Sequence, residues 1–100
     1  MTALEKEVER KLRLLAAKHG GKCLKWVCPG WSGVPDRLVL LPGGRVYFVE
    51  LKRPKGGKIS PLQKWWADEL RALGFWALFI RDERDLDTFE GILLEEGVRR

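Results

Sequence analysis

Residues 33 to 54, GVPDRLVLLPGGRVYFVELKRP, set two apolar runs of strand length on either side of Pro42-Gly43-Gly44. Short apolar runs bounded by turn residues fold back as a hairpin, and the length of the turn fixes which residues face each other. With all three residues in the loop, Leu41 faces Arg45 and, counting back toward the open end, Asp36 faces Glu50. Opposed residues point to the same side of the sheet with Cβ atoms roughly 4.5 to 5.5 Å apart. Lys52, two residues beyond Glu50, shares that side. A two-residue Gly43-Gly44 turn instead moves the register by one and throws Asp36 to the other face, unless a bulge restores it.

Two carboxylates about 5 Å apart repel by roughly 3 kcal/mol at an effective dielectric of 20, so the pair calls for a cation. Lys52 alone can supply it in a small ion cluster at a strand end. A hard divalent ion can also supply it, since Mg²⁺ takes carboxylate and carbonyl oxygens and keeps positions open for water and phosphate.

The rest of the chain supplies one α/β domain, as 100 residues suffice for a single core. Thr2-Ala3-Leu4-Glu5 has the form of a capping box, and Leu4, Val8, Leu12, Leu15 and Ala16 follow at helical spacing until Gly20-Gly21. Lys22 to Val27 reads as a first strand, and the hairpin strands follow at about 37–41 and 45–52, Leu38 to Leu41 being apolar throughout, as in a strand covered on both faces. Ser60-Pro61-Leu62-Gln63 caps a second helix whose Trp65, Trp66, Leu70 and Leu73 recur on one face. Phe75 to Ile80 is a fourth strand, and Leu86, Phe89, Leu93 and Leu94 carry a last helix. Trp26, Trp65, Trp66 and Trp76 fall on periodic faces and read as core. The order is helix, three strands, helix, strand, helix.

Charge is unevenly spread. Residues 1–66 hold 14 Lys/Arg against 5 Asp/Glu, or +9, and residues 67–100 hold 5 against 9, or −4, giving the net +5. A basic segment of this kind favours a polyanion through counterion release. Arg37, Arg53, Lys55, Lys58 and Lys64 cluster in sequence around the carboxylates as candidate phosphate contacts, and Trp31, in a Gly-flanked loop, is suited either to stacking on a base or to packing beneath that loop. No Gly-x-x-x-x-Gly-Lys-Ser/Thr spacing occurs, which argues against a nucleotide cofactor. Cys23, Cys28 and His19 do not make a zinc set, and no apolar run resembles a membrane span or a signal peptide, so the expected location is the cytoplasm.

Pro35-Asp36 followed by Glu50-Leu51-Lys52 resembles the PD-(D/E)XK nuclease signature. Gly33-Val34-Pro35-Asp36, Val49-Glu50-Leu51-Lys52 and the downstream Ser60-Pro61-Leu62-Gln63 are similar to its VRR-NUC branch. The resemblance implies a restriction-endonuclease-like αβββαβ core with a central mixed sheet flanked by helices, here followed by a C-terminal helix. It implies that Asp36, Glu50 and the Leu51 carbonyl hold Mg²⁺ or Mn²⁺, that Lys52 assists the attacking water, and that a first-helix Glu joins them. Glu9 is the first choice for that Glu, because Glu5 already has a role in the capping box. Gln63 has two readings, as helix cap and as a polar contact beside Lys52. The implied activity is a metal-dependent endonuclease on branched DNA, four-way junctions in particular. Working as a homodimer would supply paired cuts, with Phe89, Leu93, Leu94 or the aromatics of the second helix as candidate interface. The alternatives are a monomeric nickase of flaps or single strands and a non-catalytic DNA-binding module of the same fold.

Overall fold

The computed structural model describes residues 3–98. It contains α1 (Ala3–Lys18), β1 (Lys22–Lys25), β2 (Arg37–Leu41), β3 (Arg45–Leu51), α2 (Pro61–Ala72), β4 (Trp76–Ile80) and α3 (Glu83–Val98), in the order expected. The Thr2 cap lies outside the described residues. No helix among the described residues is long and apolar enough to cross a membrane.

The strands form one mixed sheet in the order β1-β2-β3-β4, antiparallel across the first three and parallel between β3 and β4. Leu41 pairs with Arg45 and Arg37 with Val49, so the hairpin loop has three residues. Gly43 and Gly44 adopt φ of 84° and 74°, a left-handed conformation that residues lacking a Cβ reach at little cost. β1 ends at Lys25, two residues earlier than the alternation suggests, although Trp26 N still donates to Asp36 O at 2.9 Å.

Period-2 alternation divides the hairpin between two layers. Val39, Leu41, Tyr47, Val49 and Leu51, with Ile80, meet Val8, Leu12 and Ala16 of α1 and Leu86, Phe89 and Leu93 of α3. On the other face Phe48 and Ala77 meet Ala67 and Leu70 of α2, with Trp26, Leu38, Val46 and Phe79 partly buried around them.

The apolar face of α2 is only partly the one read from the sequence, sharing Leu70 with it. Ala67 and Leu70 are buried, whereas Trp65 is 50% and Leu73 74% exposed and Trp66 is half-buried. Small side chains at Ala67 and Ala77 let the helix lie close to the sheet, which leaves its indoles at the rim. Trp76 is also exposed and Trp26 only half-buried, so none of the four tryptophans read as core is fully buried. In α3, Phe89 and Leu93 belong to the core and are not available to a partner, while Leu94 faces out.

Candidate active site

Asp36 immediately precedes β2, Glu50 and Leu51 end β3, and Lys52 follows directly. The three-residue turn brings them to one end of the sheet, outside the carboxyl end of the parallel β3-β4 pair, where open α/β sheets commonly hold their ligands. The two acids are joined through backbone: Asp36 N donates to Glu50 Oε2 at 3.0 Å, and Leu51 N donates to Asp36 Oδ1 at 3.1 Å. In an extended strand the N–H and C=O of one residue leave on the same edge, so the Leu51 carbonyl is directed toward the side where Asp36 lies. Lys52 N continues the ladder to Ile80 O at 3.0 Å.

The first turn of α2 closes the site. Ser60 Oγ accepts from Gln63 N at 3.1 Å and Ser60 N donates to Gln63 Oε1 at 3.0 Å, a complete capping box with Pro61 in the first turn. The same Gln63 amide reaches the sheet. Its Oε1 accepts from Lys52 Nζ at 2.5 Å, and its Nε2 donates to Glu50 Oε1 at 2.9 Å. Gln63 thus makes both sets of contacts considered from the sequence. The positive end of the α2 dipole also falls beside the carboxylates. Close approach is needed where the preceding loop crosses the helix: a Cβ on Gly33, whose φ is 85°, would lie 2.7 Å from Leu62 Cγ.

Arg37 is turned away from solvent. It is 6% exposed, and its guanidinium contacts Asp36 O at 2.9 Å, Asp36 Oδ2 at 3.5 Å and Glu9 Oε2 at 3.1 Å. Glu9 is also paired with Arg13 at 3.3 Å, so it reaches Asp36 through Arg37. Glu5, half-buried, lies one turn earlier on α1. Arg53, Lys55, Lys58 and Lys64 are exposed, Lys64 being paired with Asp68 at 2.8 Å, and Trp31 is 62% exposed.

Glu50 records the electrostatic cost of this arrangement. Burial, followed by the adjacent Asp36 charge, raises its pKa from 4.5 to about 7, against the lowering pull of Lys52 and of the Asp36 amide. Further positive charge beside a carboxylate so placed favours its ionised form.

No family model matches the chain. Over 84 residues it is 43% identical to the protein named "Putative nuclease p44" of Acyrthosiphon pisum secondary endosymbiont phage 1, covering 84% of this chain and 88% of that one. A solved VRR_NUC domain aligns with a TM-score of 0.80 at 29% identity, over 87% of this chain and 94% of its own. The chain belongs to the VRR-NUC nuclease family.

Divalent metals are usual in such nucleases, and the donor set of this VRR-NUC protein fits one. Among the described residues no three His, Cys, Asp or Glu side chains converge into a cage. Two carboxylates and a strand-end carbonyl are nevertheless the donor types that a Mg²⁺ site with open positions uses, since that ion keeps several waters and takes substrate phosphate oxygens. Cys23 and Cys28 are free thiols, and burial pushes Cys23 up to about 11.

Sequence reasoning missed the inward turn of Arg37 in this VRR-NUC fold. The signal was present: a residue adjacent to Asp36 in a strand must point to the opposite face, where α1 and Glu9 lie. The doubled use of Gln63 was legible as two separate readings, and only the proximity of the α2 cap to the end of β3 joins them.

Proposed function

We infer that this VRR-NUC protein is a Mg²⁺- or Mn²⁺-dependent endodeoxyribonuclease that cuts branched DNA, preferentially four-way junctions, as a two-fold homodimer. The observation that carries the reading is the Asp36–Glu50 pair, held at one strand end with Glu50 titrating near pH 7. Asp36 Oδ2, Glu50 and the Leu51 carbonyl would hold the metal. Bound there, it supplies Lewis-acid stabilisation of charge building on the phosphate and lowers the pKa of water.

The chain's own groups perform the remaining work. Lys52 Nζ donates one N–H to Gln63 Oε1 and has two left, enough to orient an attacking water and to donate to a non-bridging phosphate oxygen. Gln63 fixes Lys52 relative to Glu50, and Arg37 fixes Asp36 relative to α1. The exposed Arg53, Lys55 and Lys58 follow directly after Lys52 and suit the phosphates flanking the cut. Each chain has one carboxylate pair, whereas resolving a junction requires two symmetric incisions, which a two-fold dimer provides.

Cleavage of four-way, flap and linear duplex DNA is the test, with Mg²⁺, Mn²⁺ or chelator and with Asp36→Ala and Lys52→Ala as controls. Paired, metal-dependent cuts in the junction and a dimeric molar mass are expected. Flap cutting by a monomer would replace the junction reading, and binding without cutting in any metal would reduce the protein to a binding module.

A further inference from the structure

A cleft of about 690 Å³ opens beside the N-terminus of α2, walled by Trp31, Leu62, Trp65 and Trp66. Its residues are not core: Trp31, Leu62 and Trp65 are 62%, 44% and 50% exposed. Trp66 stands in the middle, with Trp31 at 5.8 Å and 88° on one contact and Trp65 at 5.0 Å and 83° on the other. An edge-to-face contact occupies at most one side of a ring, so the outer indoles keep π-surface open. Helix and loop are tied together here, because Trp66 Nε1 donates to Ser32 O at 3.0 Å and Gly33 lets Leu62 approach the loop.

The cleft and the carboxylate site draw on neighbouring residues of the same two segments. Leu62 precedes Gln63, and Ser32 precedes Pro35-Asp36 by three residues. The segment leading into α2 carries exposed Arg53, Lys55 and Lys58, while Lys52 is held by Gln63 and Lys64 by Asp68. Flat aromatic faces close in sequence to these exposed cations match a nucleobase carried on a phosphate chain. A second copy of the chain fits less well, since two-fold symmetry would set these cations against their equivalents.

We propose that this cleft receives an unpaired nucleobase of the DNA strand, next to the phosphate that is cut. The inference rests on the nuclease reading and deepens it: at the branch point of a junction one nucleotide beside the cut leaves the stack. Stacking in the cleft holds that nucleotide out of the duplex, and Leu62 of the cleft is followed in the α2 cap by Gln63, which contacts Glu50 and Lys52.

The test is binding of fluorescently labelled DNA carrying a single-stranded arm, measured in chelator so that cleavage plays no part. An abasic site is walked through the first nucleotides of the arm. Trp31→Ala and Trp65→Ala should each weaken binding by about tenfold, and one abasic position should weaken the wild type to a similar degree. That abasic position should cost little more in the variants, and Trp31→Phe, which keeps a π-face, should restore most of the loss. Variants that retain the wild-type penalty for the abasic site would overturn the proposal. So would variants whose molar mass drops from dimer to monomer, which would assign the cleft to self-association. Metal-dependent cutting by the wild type is scored separately, so an inactive protein that still discriminates abasic DNA would sink the nuclease reading and leave the cleft assignment standing.

Discussion

The two faces of the sheet are built for different purposes. The face under α1 and α3 gathers twelve buried apolar residues among those described, and that under α2 gathers four. The sparse face carries the polar groups of the candidate site and the open tryptophan cleft. Apolar burial on one side supplies most of the hydrophobic stabilisation, at roughly 25 cal/mol per Å². The other side is thereby free to hold a repelling carboxylate pair and exposed indoles, arrangements that a chain selected only for stability would lose.

A crossed pair of substitutions would break this division most sharply. Asp36→Asn should lower cleavage by at least about a thousandfold and leave the melting temperature unchanged or raised, because it removes repulsion from Glu50 and keeps an oxygen for Leu51 N. Phe89→Ala, which removes a ring that is 1% exposed and packed 5.4 Å from Tyr47, should cost about 3–5 kcal/mol without altering the site chemistry of the molecules that remain folded. Calorimetry and a cleavage assay on both variants read the two effects. A large loss of stability in Asp36→Asn would show that the α2 face contributes more to the fold than its burial suggests.

Gln63→Ala sharpens the comparison, since this residue belongs to both sides of it. Loss of the cap should cost about 1 kcal/mol, and release of Lys52 and Glu50 should slow cleavage by about 10–100-fold, measurable by denaturation and by single-turnover kinetics.

The smallest effect is a pH dependence confined to the α2 face. Glu50 keeps its proton in the folded chain up to about pH 7 and loses it near 4.5 when exposed. The folded state therefore binds more protons between these values, and the stabilisation present below pH 4.5 is lost as pH rises toward 7. Glu50→Gln should flatten that decline. Divalent ions compete with the same proton, so their affinity should rise by up to about tenfold per pH unit below 7 and level off above it, as followed by isothermal titration.

What could be read from the sequence follows from which interactions are local. The register placing Asp36 beside Glu50 was legible as one of two, because turn length sets it and the sequence allows either Pro42-Gly43-Gly44 or Gly43-Gly44 as the turn; the Leu41–Arg45 pairing selects the first. The capping box at Ser60 was legible for the same reason. The face of α2 was not, since Trp65, Trp66 and Leu73 outweigh Ala67 in any hydrophobic pattern, while the sheet surface, with Ala77 at the contact, selects the small residue. Arg37 was read among the phosphate contacts from its charge, and its partner Glu9 lies 28 residues away on another element. The tryptophan cleft draws on two distant segments, so neither one alone displays it.

The hairpin tip stands about five residues, or roughly 17 Å, from the chemistry it governs. Its side chains touch nothing reactive, and exchanging Pro42 for another residue leaves the spacing intact. Removing one residue there would slide β2 past β3 and carry Asp36 round to the side of α1, parting the carboxylates while much of the chain still folds. The bend thus governs the site through the number of its residues, with Pro42 open to exchange and Gly43 and Gly44 held by their left-handed backbone.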